Sequence, residues 1–457
     1  MLSETLNVAL RSGGDFAEVF AEDRTSSSGR LDDGRVEELV SGRRRGAGVR
    51  VVRGETTGFA HTADLSPEGL RAAAEASAAA ARGAPGTPPL VSLERRDVAP
   101  APIAEPPEGI DKARKVALLE RADTAARARG DAVRQVSAGY ADGHRHILVA
   151  NSDGLLVEDD QVRTRFSVTC VAVGDTGLRT GTEAPGRTVG FELFDDIAPE
   201  TVATTAADRS LAMLTAQPAP SGPMPVVLRR GAGGVLFHEA CGHGLEADLV
   251  DRDASVFRGR VGNRVAAPMV NLVDDGTYAR EWGTYAIDDE GQPAARTTLI
   301  EDGILTDYLW DGVRARKAGR SSTGNGRRET YQHLPMVRMT NTYLLASEDD
   351  PDDIIADTPF GLYCVALGGG QVDTATGDFV FGVTEAYLIE HGRITAPVRA
   401  AQLIGNGPEV LRRIDAVGSD FDTWAGTCGK NGQGVPVSAG QPTLRVSELT
   451  VGGTARD

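Results

Sequence analysis

Cysteine is scarce in this chain, with only Cys170, Cys241, Cys364 and Cys428 in 457 residues. Four widely spaced thiols exclude a disulfide-built scaffold and favour free thiols or ligands. Long apolar runs are missing too: no stretch of about 18 apolar residues occurs, which excludes a membrane-spanning helix. The start Met1-Leu2-Ser3-Glu4-Thr5 has no basic segment followed by an apolar one, so no secretory signal is expected and the cytoplasm is the expected compartment. An excess of positive charge is also lacking. With 48 Lys and Arg against 65 Asp and Glu the net charge is −17, which argues against nucleic acid as the main partner. What remains is ordinary globular composition, 40% hydrophobic and 25% charged, in a chain long enough for two domains.

The first half reads as α/β with mixed or antiparallel strands. Glu18-Val19-Phe20-Ala21-Glu22 and Gly48-Val49-Arg50-Val51-Val52-Arg53 are strand candidates by β-branched content and alternation. Ser66-Pro67-Glu68 opens an Ala-rich helix with a cap, a proline at the first helical position and an early acid. Residues 84–107 are proline-rich and read as an extended connector. An amphipathic helix follows from Asp111 to about Arg129. Strands are expected near 133–141, 144–150 and 162–173 with Asn151-Ser152-Asp153-Gly154 as a turn, then a helix over 198–215. The breaker-rich segment Gln217-Pro218-Ala219-Pro220-Ser221-Gly222-Pro223 places a domain boundary there, giving domains at 1–217 and 218–457. The second half is Gly-rich and strand-like. Its hairpin candidate runs from Thr298-Leu299-Ile300 through Glu301-Asp302-Gly303 into Ile304-Leu305, and a further strand is expected at Phe379-Val380-Phe381-Gly382-Val383. The fold class is therefore α+β, with a C-terminal curved antiparallel sheet or partial barrel carrying the helix described next.

Of only seven histidines, two fall in His238-Glu239-Ala240-Cys241-Gly242-His243 after the apolar run Val235-Leu236-Phe237. Two neutral imidazoles can hold Zn²⁺, and a carboxylate beside the first can take a proton from an attacking water. The spacing is i and i+5 rather than the i and i+4 of H-E-x-x-H. On a regular helix five steps turn the chain by about 140°, so both rings cannot face one ion. A π-bulge absorbs the extra residue, and Gly242 lowers the steric barrier to it. Separately, the two histidines also fit a capping or core role and a surface role. A metal needs a third ligand, for which Glu246, one turn beyond His243, and Cys428 are candidates. Cys428 lies in Gly426-Thr427-Cys428-Gly429-Lys430-Asn431-Gly432, where glycines allow a tight loop and Lys430 is placed to stabilise a thiolate. By itself that segment also suits a small buried thiol.

Taken with Ser322-Thr323-Gly324-Asn325-Gly326-Arg327-Arg328-Glu329, Leu334-Pro335-Met336, Met339-Thr340-Asn341-Thr342, Pro436-Val437 and Gln441-Pro442-Thr443, these segments in this order resemble the TldD/PmbA family of metallopeptidases, in its catalytic TldD-type form. The resemblance covers most of the chain and is strongest from about residue 230 onward. It implies one Zn²⁺ per chain held by His238, His243 and Cys428, with Glu239 as general base and no departure at those four positions. Cys241, at a variable position, is read as structural. The resemblance also implies cleavage of unfolded or short peptides, bound in extended form inside the cavity of a homodimer or of a heterodimer with a PmbA/TldE-type subunit.

Three protein ligands leave a position open for water, the arrangement of a catalytic rather than a closed structural zinc. No oxyanion donor is identified by sequence, and Tyr331, His333 and Arg327 are candidates by proximity alone. Leu367-Gly368-Gly369-Gly370-Gln371 lacks the Lys-Ser/Thr ending of a phosphate loop, so a close backbone approach is expected there, with an exposed edge to which a peptide strand can add. Two other readings stay open: a non-catalytic peptide-binding or assembly module with a structural zinc, and a latent enzyme in which Cys428 blocks the water position.

Overall fold

The computed structural model describes residues 1–81, 91–175 and 177–454. Residues 84–90 of the proline-rich connector lie outside the described residues.

Two long antiparallel hairpins build the first sheet. Its strands run in the order Thr56–Thr62, Arg35–Arg53, Phe16–Asp32, Val133–Asn151, Leu155–Gly174 and Glu94–Arg96. Register is set by burial on one face. Val19, Val49 and Ala150 are all fully buried, and Val19 lies opposite Val49 on one side and Ala150 on the other. The helices Leu2–Leu10 and Pro67–Ala80 cover one end of this face, and Lys112–Arg127 and Pro199–Ala212 cover the other. Both of the helix starts expected from sequence are observed: Ser66 accepts from the amide of Gly69, and Asp111 from that of Ala113.

One expectation is corrected. Residues 133–141 and 144–150 are not two strands but one of 19 residues. Asp142 and Gly143 read as a turn in isolation. Here both are held in continuous ladders, Gly143 opposite Ser26 and Arg163, while the Asp142 carboxylate pairs with Lys115 at 2.6 Å. Tertiary pairing overrides local propensity.

The second half holds a closed barrel. Gly222–Leu228, Leu444–Gly452, Gln402–Asn406, Asp378–Glu390 and Phe360–Val372 pair in that order, and the last returns to the first through a parallel pairing of Val226 with Leu362. Beside it lies a six-stranded sheet ordered Ile304–Leu305, Arg296–Glu301, Leu272–Asp275, Asn341–Leu344, Gln433–Gln441 and Asp422–Lys430. The hairpin at 298–305 turns on Asp302 and Gly303, both with positive φ. The outermost hairpin turns on Asn431 and Gly432, again both at positive φ, the Asn-Gly pair that suits a two-residue turn. Barrel and sheet share one core with the segment around residue 240.

The halves meet through buried contacts. Phe20, Ile147 and Val157 pack with Ile287 and Tyr331. Arg50 bridges Glu18 and Glu290 at 2.8 Å each, and Arg328 binds Glu18. None of the described helices is long and apolar enough to cross a membrane.

Candidate metal centre

The distortion demanded by the i, i+5 spacing is present. An α-helical turn at Gly234–Phe237 passes into a π-helical segment at His238–Gly242 and then a 3₁₀ turn at His243–Leu245. The wider turn brings the two rings together with centroids 5.0 Å apart at 82°. Gly242 is required here for a second reason, since a Cβ at that position runs into Sδ of buried Met339.

Cys428 arrives from a strand 185 residues away. Its Sγ lies 3.4 Å from Nε2 of His243, and one donor atom from each of His238, His243 and Cys428 falls within 4.8 Å of the others. Tetrahedral zinc, with bonds of about 2.0–2.3 Å, separates its nitrogen and sulfur ligands by about 3.4–3.6 Å. The His243–Cys428 distance already matches that separation. All three residues are buried, at 4%, 8% and 5% exposure. Both ring nitrogens of His238 are buried without any hydrogen-bond partner among the described residues. A buried imidazole with neither nitrogen satisfied is costly unless a ligand completes it. The nitrogen, nitrogen and sulfur donor set suits zinc.

Electrostatics support the same grouping. Burial alone would raise the Cys428 thiol, but the adjacent His238 and His243 outweigh it and hold the thiol well below its ordinary range. Burial works against a charged His243, yet the Glu246 carboxylate and then Cys428 raise it well above the usual histidine range.

Glu246 is corrected from candidate ligand to support. Fully buried, its Oε2 lies 2.9 Å from Nδ1 of His243, on the side of the ring away from Cys428, and 2.8 Å from Nζ of Lys430. Burial would raise its carboxyl, but His243 and Lys430 overcome this and lower it to about 2. Such a carboxylate fixes which nitrogen of the ring is free to coordinate. Lys430 is also corrected: its ammonium lies on Glu246 and on Asp248 at 2.6 Å rather than on the Cys428 thiol. The signal for Glu246 was its i+3 spacing from His243; nothing local signalled Asp248 or Arg338, whose guanidinium binds the carbonyls of Cys428 and Gln433 and anchors the hairpin.

Glu239 stands at the rim, its side chain 26% exposed and its Oε2 3.8 Å from Nε2 of His243, too far for a hydrogen bond. Cys241 points elsewhere, with its thiol on the carbonyl of Phe237 and pushed up by burial to about 12. Tyr331, His333 and Arg327 are not brought to the cluster. The Tyr331 amide donates to Glu22, His333 bonds Thr330, and Arg327 holds the carbonyls of Met339 and Pro436.

The strands Phe360–Val372 and Asp378–Glu390 contact the π-helical segment. Within the first, residues 362–364 pair on both sides, but 366–372 pair only with Asp378–Glu390, leaving their other edge open among the described residues. At Gly370 a Cβ would collide with the Phe381 ring, which is the close approach expected of the glycine run.

Comparison with known proteins matches most of the chain. Three successive family models match: PmbA/TldA metallopeptidase domain 1 at residues 17–81, the central domain at 105–214 and the C-terminal domain at 221–453. A metalloprotease TldD homolog of Haemophilus influenzae is 44% identical, over 96% of this chain and 93% of its own. Among solved structures, TldE of Thermococcus kodakarensis superposes with a TM-score of 0.80 at 18% identity, over 99% of this chain and 100% of its own. A Thermotoga maritima protein described as a candidate modulator of a DNA gyrase gives 0.80 at 20% identity, over 99% of each chain. At such identities these two likenesses show the fold alone.

Proposed function

The chain belongs to the PmbA/TldD metallopeptidase family and is a metalloprotease of that type; from this premise we propose that it is a zinc peptidase in which His238, His243 and Cys428 hold the ion and Glu239 is the general base. The observation that carries this reading is the convergence of three buried donors, one of them a histidine with both nitrogens orphaned, at a π-helical turn that a regular helix cannot supply. Bound zinc supplies Lewis acidity to a carbonyl and acidifies water at the position left open by three protein ligands.

The side chains divide the remaining work. Glu239, partly exposed and engaged by no hydrogen bond among the described residues, is free to accept a proton from water and pass it to the leaving amine. Glu246 orients His243 through Nδ1, and Lys430, tied to Asp248, keeps Glu246 ionised. The open edge at 366–372 suits a peptide in extended conformation, which adds as a strand and is recognised through main chain.

We further propose a division at residue 217 into an N-terminal α/β unit and the strand-rich unit 218–457 that carries the site. The working form is a dimer, with itself or with a PmbA/TldE-type partner, enclosing unfolded or short peptides. Four unpaired, buried cysteines support action in the reducing cytoplasm.

The test is Glu239→Gln in zinc-loaded protein against an unfolded peptide. General-base loss lowers turnover by about 10²–10⁴-fold with metal content unchanged. Full turnover in that variant would rule out the assignment of Glu239.

A further inference from the structure

Away from the metal ligands, a cavity of about 390 Å³ opens between the two halves of the chain. Six arginines line it: Arg24, Arg145, Arg163, Arg165, Arg327 and Arg328. In a chain of net charge −17 this concentration of one sign calls for a cause. Arg163 and Arg165 share one face of the strand Leu155–Gly174, two residues apart. The opposite wall includes Thr427 and Pro436, a cross-strand pair one step from Cys428 and its partner Val435.

Two of these cations are ion-paired, Arg145 with Glu22 and Asp289 and Arg328 with Glu18, but the other four form no ion pair among the described residues. Asp142 is taken by Lys115, and Asp289 by Arg145, which Glu22 also binds. Glu329 accepts from the amide of Gly434. Asp288 is engaged by the amides of Glu290, Gln292 and Gly326, while burial and then the Glu290 charge raise it above the carboxylate range. Arg163 and Arg327, by contrast, donate only to carbonyl oxygens of the backbone and of Gln161. Arg24 and Arg165 make no hydrogen bond or ion pair among the described residues. Burial, then the charges of Arg327 and Arg145, push Arg163 down to about 9, which the Asp159 carboxylate only partly offsets. Two further lining groups are buried donors with nothing to donate to: Nε1 of Trp282, and Nε and Nη1 of Arg328, a residue only 1% exposed. Every unmet need in this cavity is for an acceptor.

We propose that this cavity binds a carboxylate of the peptide substrate, from an acidic side chain or from the chain terminus, beside the hairpin that carries Cys428. Planar guanidinium groups pair with carboxylate in two parallel bonds, and an ionised acceptor satisfies the indole donor as well. The volume takes one such group with a few neighbouring atoms, within the range of small-ligand sites. This specificity rests on the peptidase reading, and it makes the enzyme selective for acidic or free-ended peptides where main-chain pairing alone is indifferent to sequence.

The experiment is a binding titration, by calorimetry and tryptophan fluorescence, of the zinc-loaded Glu239→Gln protein. Three peptides of one length are compared: Glu-containing with an amidated end, Gln-containing with a free end, and Gln-containing with an amidated end. Inorganic phosphate serves as a fourth ligand. One or both carboxylate peptides are expected to bind about 10-fold tighter than the fully neutral one, and which of them does so identifies the source. The preference is expected to vanish in Arg163→Gln and in the double variant Arg24→Gln/Arg165→Gln, whose side chains hold no structural bond. Equal binding of all three peptides, no binding of any, a preference that survives both arginine variants, or binding of phosphate alone would overturn the proposal. Failure of the peptidase reading shows separately, as absence of cleavage by the wild-type zinc protein whatever the titration gives.

Discussion

Glu246→Gln separates the support of the metal centre from its ligands. The substitution keeps shape and volume but removes the charge that lies 2.9 Å from Nδ1 of His243. Lys430 retains Asp248 at 2.6 Å, so no buried ammonium is stranded. Loss of a carboxylate behind a metal-binding histidine weakens metal by about 10–100-fold, or roughly 1.4–2.7 kcal/mol. A zinc titration against a competing chelator reads this directly. Stability of the metal-free protein changes too. Folding lowers Glu246 from 4.5 to about 2, equivalent to about 3 kcal/mol in favour of the folded state. Because the folded value is the lower one, this contribution is complete above about pH 4.5 and is lost as pH falls towards about 2. The wild type is therefore more stable than Glu246→Gln near neutrality, and the gap narrows below about pH 4.5 in denaturant titrations. Unchanged zinc affinity, or a gap that widens on acidification, would refute the reasoning.

Gly242→Ala places a methyl against Met339 in a packed turn and is expected to cost about 1–3 kcal/mol and to reduce bound zinc, while the double variant with Met339→Ala loses less than the two single changes summed, as thermal melts and metal analysis will show. Glu18→Gln removes the carboxylate shared by Arg50 and Arg328, all three nearly inaccessible, and is expected to lower stability by about 3–5 kcal/mol; a loss under about 1 kcal/mol in denaturant unfolding would contradict the role given to that buried junction.

Much of the centre was legible because its chemistry is local. The i, i+5 spacing of His238 and His243 excludes a regular helix by rotation alone, and the π-helical segment follows from it. Helix starts at Ser66 and Asp111 and the Asp302-Gly303 turn were legible for the same reason: each is decided within four residues. Cys428 was suggested by its segment and by family resemblance, but the hairpin that delivers it depends on pairings spread over the second half. Lys430 shows the limit plainly. Sequence proximity put its ammonium on Cys428, with which it shares a strand face, whereas the buried pair Glu246 and Asp248 draws it elsewhere. The single strand at 133–151 was split because Asp-Gly signals a turn only when no neighbour holds it flat. The arginine cavity was invisible for a related reason, since its residues come from strands far apart in the chain.

The most direct test is zinc content by elemental analysis of folded wild type, His238→Ala, Cys428→Ala and Cys241→Ala. Three-ligand coordination requires about one zinc per chain in the wild type and in Cys241→Ala, and almost none in the other two. Zinc retained in Cys428→Ala, or lost equally in Cys241→Ala, would contradict it.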